Sequence, residues 1–259
     1  MARYQVILAY DGAEFFGFQR QARGQKQRTV QAVVEAALRQ LGWQGNTVLA
    51  SGRTDTGVHA SGQVVAFDLN WAHSPEALRS ALNAHLPPDA AVQSVRQAAP
   101  DFHPRYAALA RRYRYRLFCQ PVRNPLRERY AWRVWPAVDL ERMRQASLDL
   151  PGTHDFAAYG TPPRTGGSTV RTVLSAEWTS VPPDELAFEI VANAFLFRMV
   201  RRLVGFLVAI GRGRQPPEAL LECLESGSQA LVQSLAPPHG LMLVEVVYRD
   251  NLQQEVIMS

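Results

Sequence analysis

Asp55 is the only carboxylate in a twelve-residue stretch, Gly52-Arg53-Thr54-Asp55-Thr56-Gly57-Val58-His59-Ala60-Ser61-Gly62-Gln63, that also holds one guanidinium, one imidazole and three glycines. A carboxylate is ionised at neutral pH and can act as a nucleophile without a cofactor. A neighbouring guanidinium would hold it in that form and aim it. Arg53 is the local candidate, and Arg201, in the apolar segment Phe195 to Ile210, is the other. Arg198, Arg201 and Arg202 are spaced i, i+3, i+4 and are expected on one helix face, either lining a cleft or snorkelling to solvent. A plainer reading makes the stretch a hairpin loop whose Asp caps its own turn. Asp55, His59 and Asp68 also leave a metal site open.

Other chemistries lack their residues. No glycine-rich loop ends in Lys-Ser or Lys-Thr, and Gly211-Arg212-Gly213 lacks the third glycine of a dinucleotide fingerprint. There is no Gly-x-Ser-x-Gly elbow and no Cys-x-x-Cys. The six histidines are scattered, with no pair at helical ligand spacing. Cys119 and Cys223 sit in apolar surroundings and read as buried thiols.

At 259 residues, 47% hydrophobic and 20% charged, the chain is an ordinary soluble composition for one large or two smaller domains. The apolar run Leu203 to Ile210 is too short to span a bilayer, and Met1 leads straight into a strand pattern, so a cytoplasmic location and no membrane are expected. Net charge is +5, and 27 of the 28 basic residues are Arg. Arg105, Arg111, Arg112, Arg114 and Arg116 are followed by Arg123, Arg127, Arg129 and Arg133, with no acid from Phe102 to Arg127. With Tyr106, Tyr113 and Tyr115 interleaved, this stripe suggests a nucleic-acid surface; a solvated strand face is the alternative.

The elements that must position these residues follow from periodicity and punctuation. Strands are expected at Arg3–Tyr10, Val48–Ala50, Gln63–Leu69 and Val92–Val95. Thr29 and Ser74 cap helices ending at Gly42 and Pro87. The second half repeats the order: strand Arg111–Phe118, a helix capped by Asp139, strands Val170–Thr179 and Leu186–Val191, an apolar helix Phe195–Ile210, an extra helix from Pro217 to Glu225 and a closing strand Leu241–Tyr248. Pro151–Ser168 reads as a long mobile loop. Each half is strand–helix–strand–strand–helix–strand, the ferredoxin-like arrangement, and a cleft between halves would be a natural site. The fold class is therefore α/β (α+β), with residues 1–104 carrying the Asp loop and 105–259 the Arg/Tyr strand and the Arg-bearing helix.

These residues resemble the tRNA pseudouridine synthase A family over nearly the whole chain. The likeness rests on Tyr10-Asp11-Gly12, Phe16-Gly17, Gly52-Arg53-Thr54-Asp55 with Gly57-Val58-His59, Arg111-Arg112-Tyr113-Arg114-Tyr115, His154-Asp155-Phe156, and Asn193-Ala194-Phe195 with Met199-Val200-Arg201. It implies the pseudouridine synthase fold, with a mixed, mainly antiparallel sheet and a central basic cleft. It implies isomerisation of uridine to pseudouridine at positions 38, 39 and 40 of the tRNA anticodon arm by a homodimer without metal or cofactor. On that likeness Asp55 is the nucleophile, attacking ribose C1′ or uracil C6. Tyr113 stacks on the target base, Arg201 pairs with the nucleophile and Arg53 helps extrude the base. Arg111, Arg112, His59 and Arg198 are expected to bind substrate. Phe18, where a Trp is common, Arg198, where a His is often found, and Tyr159 depart from the usual pattern. A non-catalytic RNA-binding module and a metal-dependent hydrolase at Asp55 and His59 are the rivals.

Overall fold

The structure, a computed structural model, describes residues 1–20 and 27–249. Lys26, the one Lys of the sequence, lies outside the described residues. The described residues form two compact units, one of those up to Leu109 together with Leu243–Arg249, the other Ala110–Met242. In chain order the first unit has β1 (Ala2–Tyr10), α1 (Val30–Gln40), β2 (Leu49–Ala50), β3 (His59–Leu69), α2 (Pro75–His85) and β4 (Ala90–Ala98). The second has β5 (Ala110–Phe118), β6 (Trp132–Arg133), α3 (Leu140–Ser147), β7 (Gly152–Asp155), β8 (Val170–Val181), β9 (Glu185–Ala192), α4 (Met199–Gly211) and α5 (Ala219–Ser226). β10 (Leu241–Val247) closes the succession.

In the first unit β1 runs antiparallel to both β4 and β3, and β2 pairs antiparallel with β3. The order β4-β1-β3-β2 is the one a split βαββαβ unit requires. Tyr4, Val6, Leu8 and Tyr10 alternate into the core, as the period of two demands, and Val34, Leu38, Leu78 and Leu82 of the two helices are buried. Thr29 accepts from the Ala32 N–H and Ser74 from the Ala77 N–H, the expected caps. In the second unit β5-β9-β8-β7 are neighbours, all antiparallel, and β6 lies parallel on β5. Asp139 caps α3 through the Glu141 and Arg142 N–H groups.

Four local expectations change. β3 begins at His59, so the second half of the Gly52–Gln63 stretch is strand, held by pairing with β1 as far as Tyr10↔Ala60. β4 is longer than expected because β1 offers it a partner along its length. The segment from Pro151 to Ser168 is not one long loop. It contains β7, paired with β8, and Phe156, Ala158 and Tyr159 are fully buried. Helix α4 starts at Met199, leaving Phe195–Arg198 outside it. No helix among the described residues is long and apolar enough to cross a membrane.

Candidate active site

Asp55 sits on a turn whose backbone is fixed from three sides. The turn is closed by the Val58 N–H donating to the Asp55 backbone carbonyl at 3.1 Å, with Gly57 at φ 77° in the left-handed position. On one side, the segment Gly12–Phe18 lies against the turn. Phe18 N–H donates to Thr54 O (3.1 Å) and Gly57 N–H to Phe15 O (3.3 Å). Contact is so close that a Cβ on Gly12 would lie 2.1 Å from Val58 O, and one on Gly17, itself at φ +81°, 2.9 Å from Thr54 O. This segment is tied in turn to α1, whose first N–H groups, Val30 and Gln31, donate to Gly17 O and Phe18 O. Buried Phe15 and Phe18 anchor it.

Below the turn, the Tyr10 hydroxyl and Thr54 Oγ1 share a buried hydrogen bond of 2.8 Å. Burial pushes the Tyr10 phenol up to about 12, against the bonds from Thr54 and Gln63, so it stays neutral. Gln63, fully buried on β3, accepts from Ser51 Oγ (2.7 Å) and the Val64 N–H (3.1 Å), and donates to Gly52 O (3.2 Å). On the third side is His59. Its Nδ1 accepts from the Gly12 N–H at 3.0 Å, while Asp11 Oδ1 lies 3.1 Å from the same nitrogen. Asp11 Oδ1 also accepts from the Ala13 N–H at 3.0 Å, so the ring, Asp11 and the Gly12–Ala13 backbone form one cluster. His59 is therefore a clamp on the turn as well as a neighbour of Asp55. Arg53 is exposed and Asp55 partly buried.

The metal alternative fails on distance along β3. Asp68 is at the far end of the strand from His59, and both its oxygens are bonded to Arg3, at 2.8 and 2.7 Å. Among the described residues no group of three His, Cys, Asp or Glu is placed to hold a metal ion.

In the second unit β5 divides its side chains by parity. Arg112, Arg114 and Arg116 fall on one face. Arg114 Nε donates to Glu189 at 2.6 Å, Arg112 is 3.6 Å from the same carboxylate, and Arg116 is held by Glu185 at 2.5 Å. Beyond the strand, Arg127 pairs with Asp184 at 2.8 Å, and Arg123 and Arg133 share Glu128. Most arginines of the basic stripe thus meet an acid, Glu189, Glu185 and Asp184 from far along the chain and Glu128 from within the same stretch. The other face carries Arg111, Tyr113, Tyr115 and Leu117. Arg111 donates to Asn193 O at 2.6 Å, and Tyr113 meets Phe195 edge-on with centroids 4.9 Å apart.

Arg201 is 8% exposed; its Nε donates to Ala236 O at 2.8 Å, and its backbone carbonyl accepts from the Ala236 N–H. Tyr115, two residues from Tyr113 on the same face, donates to Pro237 O at 2.9 Å. Burial pushes the Tyr115 phenol up, partly opposed by the Arg201 charge. Arg198 does not share the helix face of Arg201 and Arg202. It precedes α4 in a left-handed conformation, φ 64°, with its guanidinium carbon 4.7 Å from the Phe197 ring centroid.

Tyr10, Thr54, Gln63, Gly12 and Gly17, which hold the turn, carried no role in the sequence reading, although Tyr10-Asp11-Gly12 and Phe16-Gly17 stood out as motifs. Tyr10→Phe leaves Thr54 Oγ1 buried without that partner, and denaturant titration is expected to show a loss of about 1–3 kcal/mol. An unchanged midpoint would mean that Thr54 finds another partner.

This is the fold of a pseudouridine synthase: a family described as tRNA pseudouridine synthase matches residues 6–107 and 146–249. The chain belongs to the tRNA pseudouridine synthase family, isomerases that convert uridine to pseudouridine in tRNA. It is 40% identical to the tRNA pseudouridine synthase A of Myxococcus xanthus, over 97% of this chain and 94% of the relative. It is also 40% identical to the enzyme of that name from Streptococcus equi subsp. equi, over 96% and 100% of the two chains. A fainter likeness, TM-score 0.34 at 12% identity over 70% of this chain and 39% of the other, is to a chain of the archaeal box H/ACA sRNP Nop10-Cbf5 complex.

Proposed function

We propose that the protein isomerises uridine to pseudouridine at positions 38, 39 and 40 of the tRNA anticodon arm, as a cytoplasmic homodimer, with Asp55 as nucleophile and no cofactor. The observation that carries the reading is the Asp55 turn, locked by backbone bonds from Phe15 and Phe18 and by close glycine contacts at Gly12 and Gly17. A nucleophile must be held in attack geometry before substrate arrives, and this clamping serves that need.

Asp55 forms a covalent bond to the target nucleoside, at C1′ or C6. The N1–C1′ glycosidic bond breaks, the uracil turns over, C5 bonds to C1′, and the bond to Asp55 breaks with its electron pair returning to the carboxylate. The C5 proton leaves and N1 ends protonated, so atoms balance without oxidant or reductant. The uridine must leave its stack, at a cost of a few kcal/mol, and an aromatic platform returns roughly 1–3 kcal/mol. In this reading Tyr113 is the platform and assists C5 deprotonation, Arg53 helps extrude the base, and Arg201 pairs with the Asp55 carboxylate. Arg111, Arg112, His59 and Arg198 hold the RNA.

The test is tritium release from unmodified tRNA labelled at uridine C5, in EDTA. Wild type is expected to release tritium; none, with tRNA still bound, would turn the assignment to an RNA-binding module. In the same assay Tyr113→Ala is expected to lose about 100-fold or more in rate. Tyr106, 75% exposed beside His103, should tolerate alanine within a few-fold. Equal losses would remove Tyr113 from the platform.

A further inference from the structure

Arg198 is the one non-glycine residue with a positive φ among the described residues. That conformation is costly for an L side chain and persists where the surroundings enforce it. They do so here. Leu196 and Met199 are buried on either side, and the Phe197 N–H and C=O are bonded to Thr161 O and N–H at 3.0 and 3.4 Å. Gly160 lets this bridge close, since a Cβ there would lie 2.5 Å from the Leu196 Cβ. The effect is to turn Phe197 and Arg198 outward. Phe197 is 52% exposed, an unusual position for a large aromatic side chain, with the Arg198 guanidinium over its ring.

Glycine would satisfy this backbone better than arginine. The side chain at 198 therefore has work outside the fold. The same turn carries Phe195, packed on Tyr113 two residues before Phe197. An aromatic ring offers a base a stacking face whatever its sequence, and a guanidinium offers a phosphate a planar fork.

We infer that Phe197 and Arg198 form a second nucleotide site, in which Phe197 stacks on an unpaired base flanking the target uridine and Arg198 holds the adjoining phosphate. The inference rests on the reading of Tyr113 as the target platform. The experiment measures tRNA Kd, KM, kcat and melting temperature for wild type, Phe197→Leu, Phe197→Trp and Arg198→Gly. Phe197→Leu, which keeps apolar bulk, is expected to raise Kd and KM about tenfold with little change in kcat, and Phe197→Trp to restore them. Arg198→Gly is expected to melt at or above the wild-type temperature, to bind tRNA more weakly, and to reduce the log–log salt slope by about 1.

Wild-type Kd and KM in Phe197→Leu and Arg198→Gly would overturn the site and leave a surface cation–π pair. Failure of Trp to restore binding would overturn stacking. A lower melting temperature for Arg198→Gly would overturn the claim that its side chain serves the RNA at the backbone's expense. If wild type binds tRNA but releases no tritium, the proposed reaction fails separately, and the Kd comparison still decides the site.

Discussion

Asp55→Asn is expected to abolish tritium release from C5-labelled tRNA, by roughly four orders of magnitude or more, while the variant folds and binds tRNA as wild type does. Fold is spared because the turn is closed by the Asp55 backbone carbonyl and by bonds to Thr54 O and Gly57 N–H. Asn fits the same space and keeps those bonds. Binding is spared because removing one negative charge from an RNA-contacting surface does not weaken attraction for phosphate, and it should tighten slightly at low salt. Chemistry is not spared, because an amide cannot replace a carboxylate as nucleophile. The measurement pairs single-turnover tritium release with filter binding across salt concentrations. Full activity in Asp55→Asn would defeat the nucleophile assignment outright. A variant that neither folds nor binds would mean the carboxylate is structural, and Asp55→Ala would then be expected to fail in the same way.

Gly12→Ala is the second large effect. The added Cβ would stand 2.1 Å from Val58 O and 2.5 Å from its carbonyl carbon, both backbone atoms that cannot rotate away. Relief requires moving either the Gly12–Phe18 segment or the start of β3. Both carry the bonds that fix the Asp55 turn, including Gly12 N–H to His59. A cost of about 3 kcal/mol or more is expected, seen as a melting temperature roughly 6–12 °C lower. A turn displaced by even 1 Å costs about 100-fold in rate. Gly52→Ala is the control for stability, since nothing lies within 4 Å of a Cβ there and its φ is ordinary. Wild-type stability and rate in Gly12→Ala would show that the clamp yields and that Asp55 is positioned by other means.

What reached the sequence intact was whatever is encoded locally. Caps at Thr29, Ser74 and Asp139 involve side chains bonding N–H groups two or three residues away, so they are visible without a fold. The alternation of β1 and β5 follows from the pleat alone. Glycines around Asp55 mark a turn because only glycine takes φ 77° at Gly57 without cost. Together with the Arg-Thr-Asp piece, these made both the α/β class and the candidate Asp legible.

What the sequence could not decide was every choice settled by a partner far along the chain. The arginines of β5 look unopposed because their acids, Glu185 and Glu189, arrive some seventy residues later and meet them only through the β5–β9 register. Pro151–Ser168 has the composition of a loop, yet pairing with β8 makes part of it a strand and packing buries Phe156 and Tyr159. Phe195–Arg198 continues a helical hydrophobic pattern, but the bridge from Phe197 to Thr161 takes it out of the helix and turns Arg198 away from Arg201. Local propensity is a matter of tenths of a kcal/mol per residue, and a backbone pairing or a buried ring outweighs it. The residue types that can do chemistry were therefore fixed by the chain itself, whereas the clamp that aims Asp55, and the face each arginine presents, belong to the tertiary structure.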